Sequence, residues 1–230
     1  MELLGKHMEH EGLQESGVGL FGNLACNDEN RAELIRLGSI GHVLRCWKIH
    51  AASVGLCHNA YRMMRNFCSG GVSSGVYAEY LSEHGVPQVV CTTLRGHEDH
   101  ERLAEQALAC LWGFACLPLL AADLFENHAA EAILRVMALH PTSAQVQRCG
   151  CGAIARLLEA AARERGGARG REAHCEAESA GQEARFAAAA GLPSPAALAP
   201  AVLLAARSHP LSAAVQAIPN PNPNPNPSSN

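Results

Sequence analysis

Twelve histidines and ten cysteines are the residues in this chain whose types most invite chemistry. Imidazole and thiolate are the usual ligands of zinc. Five of the histidines are spaced in a regular way: His7, His50, His97, His140 and His209, at intervals of 43, 47, 43 and 69 residues. Each closes an apolar segment: MELLGKH, HVLRCWKIH, VVCTTLRGH, AILRVMALH and AVLLAARSH. If each segment is a helix, one metal cannot collect these rings. Packed helices lie about 8–10 Å apart, whereas zinc ligands lie within about 2.3 Å of the ion. The spacing instead places each histidine at a helix C-terminus, where a cation is favoured and can reach the free carbonyls of that end. Cys149-Gly-Cys151 and His174-Cys175 remain. They would make a site only by coming together, and nothing in their spacing requires that. No metal and no cofactor is expected.

Catalytic signatures are equally absent. There is no G-x-x-x-x-G-K-S/T, no G-x-S-x-G and no H-E-x-x-H. Glu9–His10 and His97–Asp99 are charge neighbours that read as solvated helix ends. The chain is therefore expected not to be an enzyme and to have no small-molecule substrate. Its 230 residues carry a net charge of −4, which offers no basic field for nucleic acid. No apolar run reaches the roughly 18 residues of a membrane span, and the N-terminus lacks a basic-then-apolar leader. Cys57, Cys68, Cys91, Cys110 and Cys116 sit inside apolar patterns and read as small buried hydrophobes of a reducing compartment. The expected location is the cytoplasm, with the nucleus the alternative.

The histidine spacing is one column of an internal repeat. Three residues before the anchors stand Leu4, Trp47, Leu94, Met137 and Ala206. Seven before the later ones stand Val43, Val90, Ile133 and Val202, on the same helical face. A second column repeats the irregular spacing: Asn23, Asn66, Gly113 and Arg156. Six residues before each is a small one (Gly17, Ala60, Ala107, Gly150), and two before is a large apolar one (Phe21, Met64, Leu111, Ile154). A third column is a turn: Gly38, Gly85 and Gly191, each followed by an apolar helix start. His128 stands at that place in the remaining copy, where the turn is expected to be degenerate. The unit reads as three helices, over about Asn30–Leu37, Ile40–Lys48 and Gly55–Cys68. The four extra residues of the second unit fall in SGGVSSGV.

A unit of about 43 residues, with three helices, a G-(I/L/V)-P-type turn and an A-x-x-x-L-x-N-L-like third helix, resembles the armadillo repeat. The likeness covers residues 2–160 and, more weakly, 181–217. The N-D-E-N-R-x-x-I/L pattern is similar to the armadillo region of leucine-rich-repeat kinases. The resemblance implies an all-α, right-handed α-solenoid of about four three-helix repeats. It also implies a concave groove lined by the third helices, where an asparagine ladder clamps an extended peptide. Asn23 and Asn66 match that ladder, while Gly113 and Arg156 depart from it. The family's tryptophan shelf is replaced by Gly19, Arg62, Ala109 and Gly152, which argues against recognition of basic import signals. The same asparagines could instead bridge neighbouring repeats.

The expected organisation is armadillo-like repeats over 1–163, a flexible insertion over 164–180, a partial last repeat over 181–217 and a disordered Pro-Asn tail over 218–230. The chain starts within a second helix and its last repeat is incomplete, so its C-terminal end is expected to be frayed or covered. The expected function is a non-catalytic scaffold binding a protein or extended peptide through Asn23, Asn59, Arg62, Asn66, Gln106 and Arg156. Arg62 and Arg156 would suit a carboxylate-bearing partner. The rival readings are a regulatory fragment of a larger signalling enzyme and an import-adaptor-like peptide binder.

Overall fold

The computed structural model describes residues 1–69 and 74–169. Among the described residues the chain is all-α, with eleven helices and no strand. They are α1 (Glu2–Lys6), α2 (Glu11–Leu24), α3 (Asp28–Arg36), α4 (Ser39–Ile49), α5 (Val54–Phe67), α6 (Ser74–Glu83), α7 (Val86–Gly96), α8 (Glu101–Ala115), α9 (Pro118–Glu126), α10 (Ala129–Leu139) and α11 (Ala144–Arg169). The triplet expected from the spacing recurs as α3–α4–α5, α6–α7–α8 and α9–α10–α11, preceded by the pair α1–α2. α11 continues past residue 163 to Arg169, into the stretch read as a flexible insertion. Residues 70–73 of the SGGVSSGV stretch, the weak repeat over 181–217, the Pro-Asn tail, Gly191, His209 and His174-Cys175 lie outside the described residues. No helix among the described residues is long and apolar enough to cross a membrane.

Local chemistry sets the helix boundaries at equivalent places. The long helices α2, α5, α8 and α11 start beside His10, Ser53, His100 and Ser143, a further column three residues after each anchor histidine. Each side chain accepts a hydrogen bond from the amide three residues on: Leu13 at 3.2 Å, Leu56 at 3.4 Å, Leu103 at 3.3 Å and Val146 at 3.4 Å. That satisfies one of the orphan amides of the first turn. The imidazoles of His10 and His100 do so through Nδ1. The turns before α4 and α7 use Gly38 (φ 71°) and Gly85 (φ 65°) in the left-handed region. His128 takes the same conformation, at φ 51°, before α10. The turn expected to be degenerate is therefore kept, at the cost of holding a side-chain-bearing residue in left-handed geometry.

The columns pack against one another. The residue three before the anchor seats on the small residue of the following long helix. A Cβ on Gly17 would lie 2.7 Å from Leu4, and one on Gly150 would lie 2.4 Å from Met137 Sδ. Trp47, Ala60, Leu94 and Ala107 at the equivalent places are all buried. Trp47 also meets Tyr61 edge-on, with ring centroids 5.1 Å apart. Trp47, Tyr61, Phe67 and Phe114 are the largest buried side chains, each contributing about 2–3 kcal/mol of apolar burial.

Between triplets the anchor histidines act as staples. His50 Nε2–H donates to Met8 O at 2.7 Å, His97 to Ala51 O at 2.8 Å and His140 to Glu98 O at 2.6 Å. Each acceptor is the residue directly after the previous anchor. The rings do end the helices, as the spacing predicts, but they reach the preceding unit's backbone and not their own helix's carbonyls. Gln14 and Gln147 close the helix-to-helix corner inside a unit. Gln14 donates to Leu4 O and His7 O, and Gln147 to Met137 O and His140 O, at 2.8–3.0 Å.

Candidate partner-binding face

The long helices run side by side: α2 packs on α5, α5 on α8, and α8 on α11. The hydrogen bonds from α5 to α2 advance in step along both helices, so the two are parallel. Asn59 Nδ2 donates to Glu15 O at 3.1 Å, Arg62 Nη2 to Gly19 O at 3.1 Å and Asn66 Nδ2 to Gly22 O at 2.9 Å. Helical carbonyls are open to a second donor where no side chain covers them. Gly19 and Gly22 leave that opening: a Cβ on Gly19 would lie 3.1 Å from Asn59 Nδ2, and one on Gly22 would lie 3.4 Å from Arg62 Nε.

Three of the six residues expected to face a partner are thus spent on the α2–α5 contact. Asn66 is buried, while Asn59 and Arg62 are half-buried. Asn23 is exposed near the end of α2, and Gln106 is half-buried on α8. Arg156 forms a 2.7 Å ion pair with Glu159 one turn further along α11. The six therefore do not form one continuous set: α5 supplies three in a row, and the others stand singly on their helices.

A different group of side chains gathers on the α5–α8–α11 part of this face. His58 on α5 is held below the ordinary histidine range, first by burial and then by the positive charges of Arg62, Arg102 and Arg65, against the opposing pull of Glu15. These cations stand on two helices, α5 and α8. Arg65 packs over α8, since a Cβ on Gly113 would lie 3.6 Å from its Cγ. Among the described residues Arg62, Arg65 and Arg102 take part in no ion pair. Further along, the Arg148 guanidinium lies 5.8 Å from the centroid of the half-buried Trp112. A Cβ on Gly152 would lie 2.6 Å from that indole, so α11 approaches it through a bare backbone. Arg65 and Trp112 occupy the same repeat position, one residue before the ladder column. The ladder and shelf positions alone did not find them, although the 47-residue spacing between the two marks the place.

Three buried thiols are poor nucleophiles. Burial pushes Cys57 and Cys91 up to about 11 and raises Cys110 further, which keeps them protonated and poorly nucleophilic. Cys149 and Cys151 are two residues apart on α11, which turns them to roughly opposite faces. Among the described residues no three histidine, cysteine or acidic side chains are grouped to hold a metal ion. No family model, curated protein or solved structure matches the chain.

Proposed function

We propose that the chain is an armadillo-like, right-handed α-solenoid acting as a non-catalytic scaffold that binds a segment of another protein along its third helices. The observation that carries this reading is the row of neighbouring long helices α2–α5–α8–α11, joined at α2–α5 by side chains that bond the facing backbone in step. Each repeated contact supports it further: the histidine staples, the left-handed turns and the small-on-large columns recur in step, at the same 43- and 47-residue intervals, as stacked repeats require. Free cysteines at every described position fit a reducing compartment, the cytoplasm or the nucleus.

The test compares capture of proteins from native lysate by three chains of equal helicity: the natural chain, Arg65→Glu/Arg102→Glu, and Arg36→Glu on the exposed end of α3. A partner retained by the natural chain and Arg36→Glu but lost from the double variant supports the third-helix face. A partner lost from Arg36→Glu alone, or held equally by all three, sinks it.

A further inference from the structure

We propose that the triplet α9–α10–α11 receives a segment of this same chain, residues 201–216, which docks on it as a further second helix and the opening turn of a third, with His209 donating to the backbone carbonyl of Pro141. The segment lies outside the described residues, and the contacts that would hold it are those repeated inside them. In each described triplet the anchor histidine donates to the residue directly after the previous anchor. His50 bonds Met8 O, His97 bonds Ala51 O and His140 bonds Glu98 O, at 2.6–2.8 Å. The next anchor is His209, and the residue after His140 is Pro141. The same rule selects Pro141 O.

Three further columns reach the segment in the same register. The caps His10, Ser53, His100 and Ser143 stand three residues after their anchors and receive the amides of the first turn; Ser212 stands three after His209. Leu56, Leu103 and Val146 stand six after and are buried; Val215 takes that place. The corner glutamines Gln14 and Gln147 stand seven after and bond Leu4 O with His7 O, and Met137 O with His140 O. Gln216 takes that place, with the carbonyls of Ala206 and His209 as its counterparts. Residues 140–147 and 209–216 therefore share His-Pro-x-Ser-Ala-x-Val-Gln. The shared serine, valine and glutamine each have a contact to make in a described triplet, so the match follows packing and not composition. Ten residues after the anchor the register stops. Pro219 stands where the long helices carry Gly17, Ala60, Ala107 and Gly150, and proline in a helix interior removes an amide and clashes with the preceding turn.

The receiving face lies on α11. Tyr61 of α5 donates to Val90 O of α7 at 3.5 Å, so a long helix packs against the second helix of the following unit. Tyr61 is fully buried, as is Leu108 at the same repeat position. Cys151 holds that position on α11 and is only partly buried. Val202 is the counterpart of Val90, seven residues before its anchor, where Val43, Val90 and Ile133 are all fully buried. From Cys151 to Arg169 the helix advances about 27 Å. About thirty residues separate Arg169 from Ala201, and they span up to about 100 Å when extended, enough to return along α11.

The experiment follows hydrogen exchange of the full chain by mass spectrometry at 2 and 50 μM, together with native-state alkylation of Cys151 by iodoacetamide. The natural chain is compared with His209→Ala, Val202→Asp and, away from the proposed contact, His84→Ala. A helix this short is marginal in water by itself, so slow exchange over 202–209 reports docking. The expected result is exchange over 202–209 at least a hundredfold slower than in a free peptide, at both concentrations. His209→Ala and Val202→Asp should each speed it at least tenfold and raise Cys151 alkylation at least threefold. Peptides from α1–α5, and the His84→Ala chain throughout, should change less than twofold. If the α1–α5 peptides show that Val202→Asp unfolds the whole chain, Val202→Ala takes its place. Free-peptide exchange over 202–209 in the natural chain overturns the proposal, as does protection that both variants keep. Protection present only at 50 μM, with a dimer in sedimentation, overturns it too, because the segment would then sit on a second copy.

Discussion

The α2–α5 and α5–α8 contacts join the same two faces of the repeated unit, yet they use them differently. At α2–α5, Asn59, Arg62 and Asn66 reach across into the backbone of Glu15, Gly19 and Gly22. At α5–α8 the equivalent positions are Gln106, Ala109 and Gly113, and among the described residues none of them makes such a bond. There Arg65 leans over Gly113. Polar side chains on a helix row can be consumed in joining one unit to the next or left for another molecule. Which outcome holds depends on whether the facing helix bares its carbonyls. Two glycines on α2 do so, and the contact is closed. At α5–α8 the facing helix is α5, where Arg62 and Arg65 stand at the places of Gly19 and Gly22, and the Arg65 stem lies over Gly113 of α8.

The largest effect that would sharpen this contrast comes from Arg31. It is buried at 4% exposure and donates to Ala25 O at 3.0 Å and Asn66 O at 3.1 Å, while pairing with Asp28 at 2.9 Å. It therefore joins the carboxyl ends of α2 and α5 from α3. Tyr77 of the next unit packs 5.7 Å from its guanidinium and donates to Asp28 Oδ1 at 3.1 Å. Arg31→Ala strands two carbonyls and loosens the α2–α5 end, costing about 2–3 kcal/mol in urea unfolding. A loss below about 1 kcal/mol would show that the end is not held by this residue.

Asn66→Ala and Gly113→Ala test the contrast at equivalent positions. The first removes the donor from a buried bond to Gly22 O and should cost about 1–2 kcal/mol. The second adds a Cβ in ordinary contact, 3.5 Å from Cys68 Cβ, and replaces a helical glycine, so it should be neutral or stabilising by up to about 1 kcal/mol. Equal destabilisation of the two would mean that both contacts are close-packed in the same way, and the comparison would fail.

A smaller signal lies within α2–α4. His42 is buried, with Nε2–H 2.8 Å from Gln14 Oε1, and burial holds its proton affinity below the ordinary range, assisted by the charge of Arg45. The unfolded ring, with a value near 6.5, takes up a proton first as the pH falls. Stability contributed by the neutral ring is full above that value and declines as pH drops through and below it. The melting temperature should fall between pH 7.5 and 5. In His42→Gln, which keeps a donor near the same place, the fall should be shallower. An identical pH profile in the variant would remove His42 as its source.

Much of the repeat was legible because its columns are enforced by packing. The residue three before each anchor must meet a small one on the next helix, so Leu4–Gly17 and Met137–Gly150 appear as spacing alone. The turn glycines are legible because left-handed backbone narrows the choice of residue. The candidate face was less so. Asn59, Arg62 and Asn66 are polar at outward positions whether they bond a partner or the neighbouring helix. Only the bare carbonyls of Gly19 and Gly22, forty-odd residues away in the chain, decide between the two. The anchor histidines misled in the same way: the sequence marks a helix end, but the acceptor belongs to the preceding unit.

The smallest effect concerns the turn whose residue departs from the pattern. His128 holds φ 51° where its counterparts are Gly38 and Gly85. Left-handed geometry costs a side-chain-bearing residue about 1–2 kcal/mol, and glycine recovers that while losing some entropy of the unfolded chain. His128→Gly should therefore stabilise by about 0.5–1 kcal/mol, a rise of a few degrees in melting temperature. The turn persists without glycine because Arg95 of α7 donates to Asn127 O beside it, anchoring the strained backbone from the neighbouring unit. In Arg95→Ala the gain from His128→Gly should grow, since the turn then relies on its own residue for its shape. A gain of the same size in both backgrounds would show that Arg95 and the turn act independently.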